Sequence, residues 1–175
     1  MWYIREAKKP SIQVSKHLFD SDVCDSIMTG NTLPPLYINT NEHRYLFQPL
    51  FPDDTFSWLY KIIGDCVEEL NNATFQFKIE SIDIIHYVEM NSNDYSIPDC
   101  DMQYQERTAR KLSFFIPLND TDGSSTVHFG AMRKKLDMTP GVISIIPSFC
   151  SIEHKPSQNK IIKFLVGTVG GPPFI

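Results

Sequence analysis

The second half of this chain constrains its fold most, because five β-rich segments follow one another there at short spacing. They are "FQFKIESIDIIHYVEM" (75–90), "RKLSFFIPLND" (110–120), "STVHFGAM" (125–132), "GVISIIPSF" (141–149) and "KIIKFLVGTVG" (160–170). Each is rich in Phe, Ile, Val and Tyr and is bounded by Pro, Gly, Asn or Asp, which marks strands separated by turns. The first half reads differently. "SIQVSKHLF" is an extended strand, and "DSDVCDSIMTGN" is a short helix with Asp20 or Ser21 as N-cap and Gly30 as its stop. In "DTFSWLYKIIGDCVEELNNA", Phe56, Leu59, Ile62, Ile63, Cys66, Val67 and Leu70 recur at three- and four-residue steps, predicting an amphipathic helix capped by Asp54 or Thr55 and ended by Asn71–Asn72. Between the helices, prolines at 34, 35, 49 and 52 predict loop with one short strand. Helices first and strands afterwards give a mainly β, α+β architecture: a two-sheet jelly-roll barrel with helices on one sheet.

Size and composition add limits. The 175 residues fit one domain with one sizeable core, residues 1–74 forming a helical and loop part and 75–175 the barrel. A net charge of −5 argues against a protein that grips a phosphate backbone over a broad face, so direct nucleic-acid binding is not expected. The local run Arg133, Lys134, Lys135 reads as a solvated loop. Cys24, Cys66, Cys100 and Cys150 are far apart and form no C-x-x-C pair, as in a reducing compartment. "MWYIREAKKP" has no apolar signal core, and no apolar run reaches the roughly 18 residues a membrane helix needs. The expected location is a cytoplasm, or a particle assembled there.

The order of segments resembles the 2-oxoglutarate- and Fe(II)-dependent oxygenases, in particular the prolyl-4-hydroxylase-like branch found in bacteria and tailed phages. The resemblance runs from "LFDSDVCDSIM" to the end. "WLYKIIGDCVEELN", "FQFKI" and "IIHYVEM" are similar to that branch's long helix and the strand leading to the metal. "RKLSFFIPLND" and "PGVISIIPSF" resemble core strands, and "LVGTVGGPPF" is similar to the ending of phage members. The resemblance implies a double-stranded β-helix, the cupin-like jelly roll, with N-terminal helices packed on one sheet.

The same resemblance implies a site. The family pattern is His-x-Asp followed by a late His, which hold iron and leave positions open for 2-oxoglutarate and oxygen. Counting back from Arg110 places "DCD" at that motif: Asp101 matches the carboxylate, His154 the late histidine, and Asp99 stands in place of the first histidine. The arginine that pairs with the far carboxylate of 2-oxoglutarate falls at Ile162. Lys160 lies two residues earlier on the same strand face, about 7 Å away at strand rise, and Lys163 is adjacent but on the opposite face. Tyr87 matches the tyrosine that often contacts 2-oxoglutarate, against a default of a core tyrosine. Ser124 and Ser125 replace the family's glycine pair. His17, His43, His86 and His128 read as ordinary structural histidines, and Cys150 as a core cysteine.

These departures imply a catalytically degenerate oxygenase fold, with no resident cofactor, used as a structural or interaction module. Its partners would be proteins of a phage virion (neck or tail) or its assembly, met in the host cytoplasm, with no membrane involved. The rival reading is an active hydroxylase with an altered Asp99–Asp101–His154 site holding Fe(II), and 2-oxoglutarate near Lys160 or Lys163. A third reading is a structural site at the two aspartates for Mg²⁺ or Ca²⁺, cations that suit hard oxygen donors.

Overall fold

The computed structural model describes residues 11–30, 36–39, 44–91, 95–96, 109–120, 124–155 and 161–173. In chain order the elements are β1 (Val14–His17), α1 (Ser21–Thr29), β2 (Leu36–Asn39), β3 (Arg44–Leu50), α2 (Ser57–Thr74), β4 (Ser81–Ile82), β5 (Ile85–Asn91) and β6 (Tyr95–Ser96). They continue with β7 (Ala109–Pro117), β8 (Ser124–Phe129), β9 (Met132–Lys135), β10 (Val142–Pro147), β11 (Ser151–Lys155) and β12 (Ile161–Gly171).

The strands form two antiparallel sheets. The larger has the order β1-β10-β7-β12-β5-β3-β2, with β4 paired to β12, and the smaller has the order β6-β11-β8-β9. From β5 onward the chain passes between the sheets: β5 in the large one, β6 in the small one, β7 in the large one, β8 and β9 in the small one, then β10, β11 and β12 in turn. That winding is the double-stranded β-helix expected of the sequence.

The large sheet is covered on both faces, which explains why its central strands read as continuous apolar runs instead of alternating ones. Every residue of β10 is buried, and β7 is buried except at Arg110. Successive residues of one strand serve two different cores. Phe114, Ile145 and Leu165 face the helices and pack with Leu59, Ile63 and Val67 of α2. Phe115, Ile146 and Phe164 face the barrel interior and meet Val127 and Ile152 of the small sheet.

Local chemistry sets the helix ends. Asp20 caps α1 by accepting from the Val23 backbone N–H at 3.0 Å, and Gly30 ends it, as the sequence predicts. At α2 the N-cap is Phe56, not Asp54 or Thr55, and no side chain caps it. The carboxylate at its entry is Asp53, whose Oδ1 accepts from the N–H groups of Thr55 and Phe56 in the turn before the helix, at 2.9 and 3.2 Å. The helix also runs past Asn71 to Thr74. Asn71 does not stop it, because the buried side chain is used sideways, donating to Phe77 O at 2.8 Å and accepting from Phe77 N at 3.0 Å. Most of the apolar stripe of α2 is buried, but Ile62 is 40% exposed.

Three further expectations are corrected. The proline-rich stretch contributes two strands, β2 and β3; among the described residues Pro49 lies in β3 beyond the stretch 44–47 that pairs with β2. With β1, these strands make the part before residue 75 an integral piece of the large sheet rather than a helical and loop annex. "STVHFGAM" is not one strand: the chain reverses at Gly130, whose φ of 55° suits glycine, and the basic run Arg133–Lys135 forms edge strand β9 instead of a loop. Cationic side chains on an edge strand discourage unwanted pairing.

Candidate functional site

In this topology the small sheet and β12 frame the barrel interior, and β11 carries His154. The backbone register sets His154 opposite Ser125 of β8 and Tyr95 of β6, two residues along from the Ile152–Val127 pair. Ile152 and Val127 are buried in the interior core, and Ser125 is buried as well; the His154 side chain lies outside the described residues. Of the glycine-replacing serines, Ser124 is exposed and Ser125 is enclosed. Asp99, Asp101 and Lys160 lie outside the described residues, as does His43. Among the described residues, no three His, Cys, Asp or Glu side chains gather as metal ligands.

The position expected to hold a cation is clear. Ile162 is 1% exposed and belongs to the interior core, with Val88, Phe115 and Phe164 in the same cluster. Phe115 and Phe164 stack at 4.6 Å between ring centroids. Lys163 projects the other way. Its Nζ is 3.3 Å from Glu89 Oε1, opposite it on β5. Tyr87 is 3% exposed and packed in the helix-side core, and its hydroxyl donates to the same Glu89 oxygen at 2.5 Å. Burial first, and then the Glu89 carboxylate, push the Tyr87 phenol far above its ordinary range. Tyr87, Glu89 and Lys163 are therefore one polar network on the helix side of the large sheet, not on its interior face.

A residue the sequence did not single out fixes this part of β12. Asn119, in "LND", accepts from Lys163 N at 2.8 Å and donates to Ile161 O at 2.8 Å. The Leu118 N–H adds a bond to Lys163 O at 2.9 Å. Nothing in the local sequence marks this residue, because the clamp exists only once β12 lies beside the end of β7.

The other histidines are structural. His86 is half-buried and stacks on Phe47 at 4.1 Å between centroids; burial, helped by Arg110, holds its pKa below the usual imidazole range. His128 Nε2 lies 3.0 Å from Glu153 Oε2, an ion-pair distance without hydrogen-bond alignment. His17 is exposed on β1. Cys150 is 2% exposed in the interior core, a packed thiol as the sequence suggests.

The fold family implies iron and 2-oxoglutarate, and at Ile162, the position matched to the cosubstrate's cation, the described residues do not fit the second. A carboxylate at the Ile162 level would be desolvated among the apolar side chains of its cluster, with no fork of donors among the described members of that cluster to receive it. The metal donors matched by sequence, two carboxylates and one imidazole, are a harder set than two imidazoles and one carboxylate.

No family model matches the sequence, and no curated protein matches it. Solved structures do. A viral collagen prolyl hydroxylase of Paramecium Bursaria Chlorella virus-1, solved as a 2-oxoglutarate complex, superposes with a TM-score of 0.67 over 92% of this chain and 97% of that one, at 10% identity. A prolyl-4-hydroxylase of Pseudomonas putida gives 0.66 over 90% and 92%, also at 10% identity. A 2OG-Fe(II) oxygenase-family oxidoreductase of Burkholderia pseudomallei gives 0.66 over 91% and 85%, at 15% identity. Together with the strand winding, these similarities show that the chain has the fold of the 2-oxoglutarate- and iron(II)-dependent oxygenases.

Proposed function

We infer that this chain is a catalytically degenerate form of the oxygenase fold that acts as a structural or interaction module, in an assembled particle of the kind tailed phages build. The observation that carries the reading is Ile162: the place of the cosubstrate's cation is an apolar core position, and the adjacent Lys163 is tied to Glu89 on the far face. The aspartate at position 99 in place of a histidine acts in the same direction, since it adds negative charge beside a dianionic cosubstrate. A fold that hosts many functions can keep its framework after its chemistry has gone. The phage assignment is supported by the resemblance of "LVGTVGGPPF" to phage members.

The test is an anaerobic titration of the purified protein with Fe(II) and 2-oxoglutarate, followed by a succinate assay under air with ascorbate. The expected result is no saturable 2-oxoglutarate binding and no succinate. Succinate formation that disappears in His154→Ala would overturn the reading in favour of an active hydroxylase. The particle half is tested separately, by mass spectrometry of purified particles; absence of the chain from them would remove that assignment.

A further inference from the structure

Two exposed apolar patches lie on opposite sides of the large sheet. On the helix side, Trp58 and Ile62 are one turn apart on α2 and are 37% and 40% exposed. On the other side, Phe129 at the tip of the β8–β9 hairpin and Phe149 in the turn after β10 are each 43% exposed, with ring centroids 5.0 Å apart. Each pair is a small contiguous apolar surface, and covering it with another apolar surface removes it from water.

The charge around the patches differs in sign. Residues 11–30 and 51–74, which contain both helices, carry eight acidic residues against two lysines. Both lysines are already spent on that layer, Lys16 on Glu69 at 2.6 Å and Lys61 on Asp65 at 2.9 Å. The strands of the hairpin and β11 carry the opposite balance: Arg133, Lys134, Lys135 and Lys155 against Glu153 alone. Lys134 reaches to Gln13 O at 3.0 Å, whereas Arg133 and Lys135 are exposed on β9, in register with His128 and Thr126.

We propose that the Trp58–Ile62 face of one copy docks on the Phe129–Phe149 hairpin of a second copy of this chain. Each patch alone is a poor partner for itself, because a two-fold contact would set acid against acid or base against base. Acidic helix layer against basic hairpin satisfies both charge and apolar burial. Since the patches are on opposite sides of the molecule, one such contact leaves one patch of each kind free, and the association continues head to tail into a ring or an open filament. The contact does not depend on whether the barrel is catalytic.

Sedimentation velocity across a concentration series tests it. The expected result is an average mass that rises with concentration and falls with added salt, because the flanking charges are exposed and screened. Phe129→Ser/Phe149→Ser and Trp58→Gln/Ile62→Gln each leave one patch intact, and each should weaken self-association roughly tenfold or more. Mixed together, the two variants should form a one-to-one dimer that grows no further. Should the serine variant not fold, Arg133→Glu/Lys135→Glu carries the same arm. A protein that stays monomeric at every concentration, either variant associating like the parent, or a mixture that forms no dimer would each overturn the proposal.

Discussion

Ile162 and Lys163 are consecutive on β12 and lie on opposite sides of one sheet: the first is enclosed in the barrel interior, and the second pairs with Glu89 3.3 Å away on the helix side. A cation cannot be added to the interior at this level without displacing core. Ile162→Arg is therefore expected to lower stability by about 2 kcal/mol or more, through burial of an unpaired charge. It should not create 2-oxoglutarate binding. Urea unfolding with calorimetric titration of the same variant checks both parts.

Tyr60 ties α2 to two strands. Its hydroxyl donates to Leu50 O at 2.7 Å and accepts from Ile85 N at 2.8 Å, and Leu50 and Ile85 are both fully buried. Tyr60→Phe keeps the ring but leaves a donor and an acceptor unsatisfied, at a cost of about 1–3 kcal/mol. Chemical denaturation should show that loss with an unchanged m-value.

His86 makes stability depend on pH. Its pKa in the folded chain is held below its ordinary value of 6.5, mainly by burial. Below that value the unfolded chain takes up a proton that the folded chain refuses, so stability falls as pH drops from 6.5 toward the folded pKa. His86→Phe preserves the stack on Phe47 and removes the titration. A series of thermal melts should show a shallower acid-side slope in the variant than in the parent.

Two glycines should respond in opposite ways to alanine. At Gly171 a Cβ would stand 2.2 Å from the Lys78 carbonyl oxygen, which is backbone and cannot rotate away. Gly171→Ala is expected to cost about 3 kcal/mol or to prevent folding. Gly64, inside α2, has only Ile82 Cδ1 near its missing Cβ, at an ordinary 3.5 Å. Gly64→Ala should raise stability by about 0.5–1 kcal/mol, measurable as a higher Tm.

The glycines also explain what in the sequence was legible. "LVGTVGG" marks the fold because Gly167 admits the Phe114 ring, 2.5 Å from where a Cβ would be, and Gly171 admits the Lys78 backbone. Such packing constraints leave a readable sequence pattern, as do the apolar runs of β7 and β10 and the Asp20 cap. What was not legible depends on distant partners. That β2 and β3 form strands follows from pairing with β5, and a proline-rich local sequence hides it. Ile62 looks like a core residue by spacing, yet it falls at the margin of the contact with the sheet. At the candidate site, the alternation of β12 separated Ile162 from Lys163 in advance. The placement of Tyr87 on the helix side needed the parity of β5 relative to α2, which only the assembled sheet supplies.

The division into two cores also gives each its own chemical reporter. Cys24 and Cys66 are buried on the helix side, Cys150 is buried in the barrel interior, and all three are free thiols. Burial raises the pKa of Cys24 and Cys66, so they resist thiol reagents doubly, by lack of access and by lack of thiolate. In a Cys100→Ser background, the order in which these positions become labelled under native conditions would time the lifting of the helices separately from the opening of the barrel.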